Sequence, residues 1–129
     1  MNQSSRATIL VVDDEKAILT LAEMTLAEEG HEVVSTTSSS EALEIVDSHE
    51  GSIDLFLIDV VMPEMSGPEL AEQLTRKRPG VPVIFFSGYG EAAGVALRKR
   101  DAGAHYLKKP FSPAKLAELA QQVLERDEH

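Results

Sequence analysis

Short apolar runs alternate with segments of helical periodicity along the chain. Thr8-Ile9-Leu10-Val11-Val12 reads as a buried strand and stops abruptly at Asp13-Asp14. From Lys16 to Glu29 the spacing is helical, with Ile18, Leu21, Ala22, Thr25 and Leu26 on one stripe and Gly30 closing the segment. Glu32 to Thr36 is a second, less apolar strand. Ser38 with Glu41 predicts a capping box that opens a helix running to about Ser48. Asp54 to Asp59 reads as a third strand, again closed by an acid. Ser66 and Glu69 predict a second capping box, and Pro79-Gly80 ends that helix. Val83 to Phe86 is a fourth buried strand, followed by Ser87-Gly88. A helix over Glu91 to Ala102 contains Gly94, and His105 to Lys108 is a short fifth strand. Ser112 caps a last helix with Pro113 at its first position and Leu116, Leu119, Ala120, Val123 and Leu124 on its apolar stripe.

Five strands alternating with five helices imply an α/β fold with a parallel sheet covered on both faces. Near-continuous apolar strands agree, because strands buried on both sides lose the alternation of a half-exposed sheet. Right-handed crossovers reduce the topology to a doubly wound five-stranded sheet. The order 2-1-3-4-5 is expected, since it puts the most polar strand at an edge.

In such sheets ligands bind beyond the carboxyl ends of the strands, where the strand order reverses. For this order the point lies between the first and third strands. The residues at the strand ends are Asp13 and Asp14, Asp59, Ser87, and Lys108 with Lys109. Three carboxylates, a hydroxyl and an ammonium therefore meet at one edge. Crowded carboxylates resist ionisation. A hard divalent cation relieves them, and Mg²⁺ takes one or two carboxylates and completes its shell with water and phosphate oxygens. A carboxylate can also be the nucleophile that forms an aspartyl phosphate. Each residue alone has a plainer reading: Asp13 or Asp14 as the cap of the first helix, Ser87-Gly88 as a turn, one lysine as solvated surface.

Composition narrows the picture further. With 129 residues the chain is sized for one domain, expected over 1–129 with a core from about 8 to 125. A net charge of −10 argues against broad binding to nucleic acid or anionic membrane. The absence of cysteine excludes disulfides, thiolate metal sites and a cysteine nucleophile. There is no apolar run of membrane-spanning length and no signal-peptide pattern at Met1 to Arg6, so a cytoplasmic location is expected.

Val-Val-Asp13-Asp14-Glu15, Leu-Ile-Asp59-Val-Val-Met-Pro63-Glu-Met-Ser-Gly67, Phe-Ser87-Gly88 and Lys109-Pro110-Phe111 occur in the order and spacing of one family. On these motifs, from Ile9 to about Leu124, the chain resembles the CheY-like receiver domain of bacterial two-component response regulators, which has a flavodoxin-like fold. The resemblance implies that Asp59 is the phospho-acceptor and that Mg²⁺ (or Mn²⁺) is the cofactor. It gives Asp14 and Asp59 as direct metal ligands, with the Val61 backbone carbonyl, and Asp13 as assisting through water. Ser87 and Lys109 would contact the phosphoryl group, Lys108 would be solvated, and Gly88 would leave room. The bond between Lys109 and Pro110 is expected to be cis. Tyr106 would be the switch aromatic that follows Ser87, altering the face made by the fourth helix, the fifth strand and the last helix. The phosphate donor would be a sensor histidine kinase, a histidine phosphotransfer protein or a small acyl phosphate. The receiver of the signal is a partner protein, and a dimer through the same face is allowed.

Val61 and Tyr89 depart from the commonest receiver pattern and are expected to shield the aspartyl phosphate from water. The Phe-Ser-Gly-Tyr-Gly-Glu run also resembles receivers at the ends of hybrid sensor kinases, so an alternative is a segment of such a kinase. Read as it stands, the chain ends just after its last helix. It is expected to work through a partner, without direct nucleic-acid or membrane contact, and not as an enzyme. Three competing functions make different demands on these residues. A haloacid-dehalogenase-type phosphatase needs an acid two residues after the nucleophile, where Val61 stands. A flavodoxin-like cofactor carrier needs a Ser/Thr/Gly-rich phosphate loop where Asp13-Asp14-Glu15 stands. A phosphorylation-independent interaction module would not need the full set of site residues.

Overall fold

The computed structural model describes residues 6–88 and 105–127. The predicted helix over 91–102, with Gly94, lies outside the described residues, as does Tyr89. Five strands, β1 (Thr8–Val12), β2 (Glu32–Thr36), β3 (Leu55–Asp59), β4 (Val83–Ser87) and β5 (His105–Lys108), form one parallel sheet in the order β2-β1-β3-β4-β5. The helices described are α1 (Lys16–Glu28), α2 (Ser39–Ser48), α3 (Gly67–Lys77) and α4 (Pro113–Asp127).

The sheet divides the interior in two. Ile9, Val11, Leu57, Ile84, Phe86 and Leu107 pack against α1 and α4, through Leu19, Ala22 and Leu26 on one side and Leu116, Ala120 and Val123 on the other. Leu10, Val12, Phe56, Ile58 and Phe85 pack against α2 and α3, through Ala42, Val46, Leu70 and Leu74. Both faces of β3 are therefore buried, which is why its five residues alternate in direction but not in polarity. Each fully buried Phe or Leu here stabilises the fold by roughly 1.5–3 kcal/mol.

Local chemistry sets the boundaries. Gly30 adopts φ 94° after α1, and its N–H reaches the Ala27 carbonyl at 2.9 Å. Ser66 and Glu69 close both arms of their capping box, at 3.2 and 3.3 Å. The box predicted at Ser38 closes on one side only. Ser38 Oγ accepts from the Glu41 N–H at 3.1 Å, but the Glu41 carboxylate accepts from the Thr36 hydroxyl instead of returning to the Ser38 N–H. That N–H donates to Thr36 Oγ1 at 3.1 Å. Asp54, predicted as strand, precedes β3 because its carboxylate accepts the Thr8 N–H at 2.9 Å. Arg78, after α3, donates to the carbonyls of Val46, His49 and Gly51 at 2.7–3.1 Å and so ties down the chain that leaves α2.

The register brings the carboxyl ends of four strands to one edge. Val12 pairs with Ile58, Asp59 with Phe86 and Ser87 with Lys108.

Candidate functional site

Asp13 leaves the end of β1 and turns inward. Its N–H donates to the Thr36 carbonyl at 3.2 Å, and its Oδ1 accepts the Glu15 N–H at 2.9 Å. Neither Asp13 nor Asp14 caps α1: the capping position is Glu15, whose side chain makes no bond to the helix. Asp13 is fully buried, Asp59 nearly so at 6% exposed, and Asp14 is exposed. One oxygen from each of these three carboxylates lies within 4.8 Å of the others.

Lys109 supplies the opposing charge. Its Nζ is 2.9 Å from Asp13 Oδ2, 2.9 Å from Glu15 Oε1 and 3.6 Å from Asp59 Oδ2. The lysine side chain is only 12% exposed, whereas Lys108 lies in solvent. The Lys109 N–H donates to the Ser87 carbonyl at 2.9 Å, and the Lys109-Pro110 peptide bond is cis. The strand pairing thus continues one residue beyond β5, against the last residue of β4, and carries the lysine over the carboxylates.

The electrostatics follow from this crowding. Burial, then the charge of Asp13, pushes the Asp59 carboxyl up to about 7, against the weaker pull of the Lys109 charge and the Val61 N–H. Burial also raises Asp13 above the usual carboxylate range, opposed by its hydrogen bond from Lys109. Burial would lower the Lys109 ammonium, but its hydrogen bonds to Asp13 and Glu15 prevail and hold it at about 12. One ammonium does not neutralise the carboxylates around it. The donor set is all oxygen and is anionic, and a buried member strongly resists ionisation. These properties fit a hard divalent cation of the Mg²⁺ type.

A cleft of about 490 Å³ opens over the edge, lined by Asp14, Glu15, Asp59, Val61, Gly88 and Lys109, with Ile18 and Pro110 on its rim. Val61 is 63% exposed, an apolar side chain standing in the mouth of the cleft. A Cβ on Gly88 would meet Lys109 Cδ at 3.5 Å, an ordinary contact. Ser87, half-buried, ends β4 beside the cleft. Tyr106 is half-buried on β5 and stacks on Phe85 at 5.8 Å, on the face of α2 and α3. Phe111, just past Pro110, stacks on Phe86 at 5.1 Å, on the face of α1 and α4.

Two residues of the site stand in the sequence motifs but were assigned no role there. Glu15 pairs with Lys109 from across the cleft. Gly67, the first residue of α3, lies against the main chain of Asp59: a Cβ there would sit 2.2 Å from the Asp59 carbonyl oxygen. Its N–H donates to the Val60 carbonyl at 2.8 Å.

Comparison with known proteins agrees with this architecture. A family model described as the response regulator receiver domain matches residues 9–121. Among curated relatives, the chain is 39% identical over 125 residues to the sensor kinase CckA of Brucella abortus, covering 97% of this chain and 13% of that protein. It is 31% identical over 120 residues to the alkaline phosphatase synthesis transcriptional regulatory protein PhoP of Bacillus subtilis, covering 93% of this chain and 49% of that protein. The chain thus spans half or less of the length of these relatives. Among solved structures, a CheY-like response regulator receiver domain protein from Methanospirillum hungatei superposes with a TM-score of 0.83 at 33% identity, over 95% of this chain and 97% of that one.

Proposed function

The chain belongs to the response regulator receiver domain family, and on that premise we propose that Asp59 accepts a phosphoryl group from a protein phosphohistidine. The observation that carries the reading is the convergence of Asp13, Asp14 and Asp59 within 4.8 Å beside the partly buried Lys109.

An Asp59 carboxylate oxygen attacks the donor phosphorus, the O–P bond forms, and the P–N bond to the histidine breaks. The electron pair of that bond leaves with the imidazole, which takes up a proton. Asp14, Asp59 and the Val61 carbonyl, with Asp13 through water, would hold Mg²⁺ (or Mn²⁺). The ion supplies charge neutralisation for the phosphoryl oxygens. Lys109 and Ser87 contact the same oxygens and favour the charge that develops on them in the transition state. Asp59 must be ionised to attack, so relief of its raised pKa is part of activation. Ser87 then draws Tyr106 toward the site, and the face around β5 and α4 changes for a partner protein. The site thus promotes its own modification and its reversal, and is not a turnover enzyme.

Response regulators partner with histidine kinases and downstream effectors. For this chain the CckA similarity supports a second reading: a receiver segment of a hybrid sensor kinase, fed from within one polypeptide.

The test is incubation with acetyl phosphate and Mg²⁺ followed by intact mass. The expected result is one phosphate adduct, absent in Asp59→Asn. No adduct on the wild type, or an adduct that persists in Asp59→Asn, sinks the proposal.

A further inference from the structure

We propose that Glu15 is a positioning residue that restrains phosphorylation of Asp59 by competing with the phosphoryl group for the Lys109 ammonium. The proposal rests on the reading of Asp59 as the acceptor.

An ammonium has three donor hydrogens. Glu15 Oε1 accepts one of them at 2.9 Å and Asp13 Oδ2 is ion-paired with the ammonium at 2.9 Å, while Asp59 Oδ2 stands at 3.6 Å, beyond hydrogen-bond length. The lysine is therefore committed to the two flanking acids and not to the residue that is to be modified. Those two acids differ. Asp13 is fully buried and its other oxygen is engaged by the Glu15 N–H at 2.9 Å, so it does not swing away. Glu15 has a side chain 60% exposed and reaches Lys109 from the wall of the cleft.

Glu15 also occupies the capping position of α1. A polar side chain there commonly accepts one of the free helix N–H groups, yet this one makes no such bond. Its carboxylate is directed at Lys109 instead. A phosphoryl group on Asp59 brings three anionic oxygens into the cleft, where they and Glu15 seek the same donor. Breaking the exposed contact precedes full engagement of the lysine. Exposed ion pairs are weak, so the restraint is modest: roughly two- to fivefold in rate.

The experiment compares wild type, Glu15→Gln and Glu15→Asp with acetyl phosphate, at Mg²⁺ concentrations shown to be saturating for each protein, using time-resolved intact mass. Gln removes the charge and leaves only a neutral carbonyl oxygen within reach of Nζ. Asp keeps a negative charge near the incoming anion but is one methylene too short to reach Nζ. Both variants are expected to phosphorylate roughly two- to fivefold faster than wild type, and added salt narrows the difference. Equal or slower labelling of Glu15→Gln overturns the proposal. So does a fast Glu15→Gln beside a wild-type-like Glu15→Asp, since general charge then explains the effect. In the metal-free protein the ¹⁵N signal of the Lys109 ammonium is expected to shift in both variants with melting temperature unchanged, and no shift also overturns it. A wild type that takes no phosphate defeats this proposal together with the acceptor role of Asp59. Unchanged rates in variants of a readily labelled wild type defeat this proposal alone.

Discussion

Gly67 leaves no room between the start of α3 and the main chain of Asp59: a Cβ at position 67 would lie 2.2 Å from the Asp59 carbonyl oxygen and 2.9 Å from its carbonyl carbon. The obstacle is backbone, not the flexible end of a side chain. Gly67→Ala must therefore move either α3 or the peptide that carries Asp59. The expected outcome is a loss of about 1–3 kcal/mol in urea unfolding, with slower acetyl-phosphate labelling of the protein that remains folded. A variant as stable and as readily labelled as wild type would show that the two segments part at little cost.

Asp59 makes stability depend on pH in a definite direction. Its folded-state value of about 7 lies above its ordinary 3.8. The native state holds the proton more tightly, so the stability it contributes is complete below about pH 4 and is lost as pH rises through 7. Asp59→Asn removes that titration. Without metal, the variant is expected to exceed wild type in stability at pH 7 and to converge with it near pH 4. Mg²⁺ should raise the wild-type melting temperature more than that of the variant, since it binds a site that still has its third carboxylate. Urea titrations across pH check the first statement, and thermal melts with and without Mg²⁺ check the second.

The opposite slope is expected from His31. Its Nδ1 accepts the Ala7 N–H at 3.0 Å, which requires that nitrogen unprotonated, and burial lowers the imidazole below 6.5 against the pull of Glu29 and Asp54. The stability it contributes is present above 6.5 and is lost as pH falls through the lowered folded value. His31→Asn offers an oxygen near the same point and does not titrate. In an Asp59→Asn background it should flatten the acid side of the stability profile. An unchanged profile would mean that His31 does not report on this pH range.

Val61 stands 63% exposed in the cleft mouth beside Asp59. If its apolar surface keeps water from the aspartyl phosphate, Val61→Asn should shorten the life of the phosphorylated form several-fold, a barrier change of about 1 kcal/mol. Decay of the adduct after removal of acetyl phosphate, followed by intact mass, measures it. Equal decay rates would dismiss the shielding role.

Arg78 tests whether the other end of the sheet is independent of the site. Its guanidinium serves the carbonyls of Val46, His49 and Gly51. Arg78→Ala leaves them without that partner and should cost about 2–4 kcal/mol. The labelling rate of folded protein should stay unchanged.

What was legible in the chain was whatever depends on neighbours in sequence. β1, β2 and β5 have the predicted limits because apolar runs and flanking acids or glycine mark them. Strand order followed from polarity, and the meeting of Asp13, Asp14, Asp59 and Lys109 followed from strand order. Departures arose where a side chain chose a distant partner. Asp54 left the strand pattern to accept the Thr8 N–H, and Glu41 abandoned its capping box for Thr36. Leu19 is buried although the predicted stripe of α1 omitted it, because the contact with α4 widens the apolar face beyond a single stripe. Glu15 and Gly67 stood in the motifs without an assigned role for the same reason. Residue type alone does not reveal that Glu15 spans 94 positions to Lys109, or that the helix bearing Gly67 presses on a peptide eight residues earlier.

The sheet that separates the two interiors also separates the effects of changes within them. Phe85 and Phe86 are consecutive, yet the first stacks on Tyr106 in one layer and the second on Phe111, beneath the lysine loop, in the other. Changes of volume in one layer meet those in the other only through backbone, so their effects on stability should add. The layer around Tyr106 can therefore be repacked with little effect on the layer beneath Lys109.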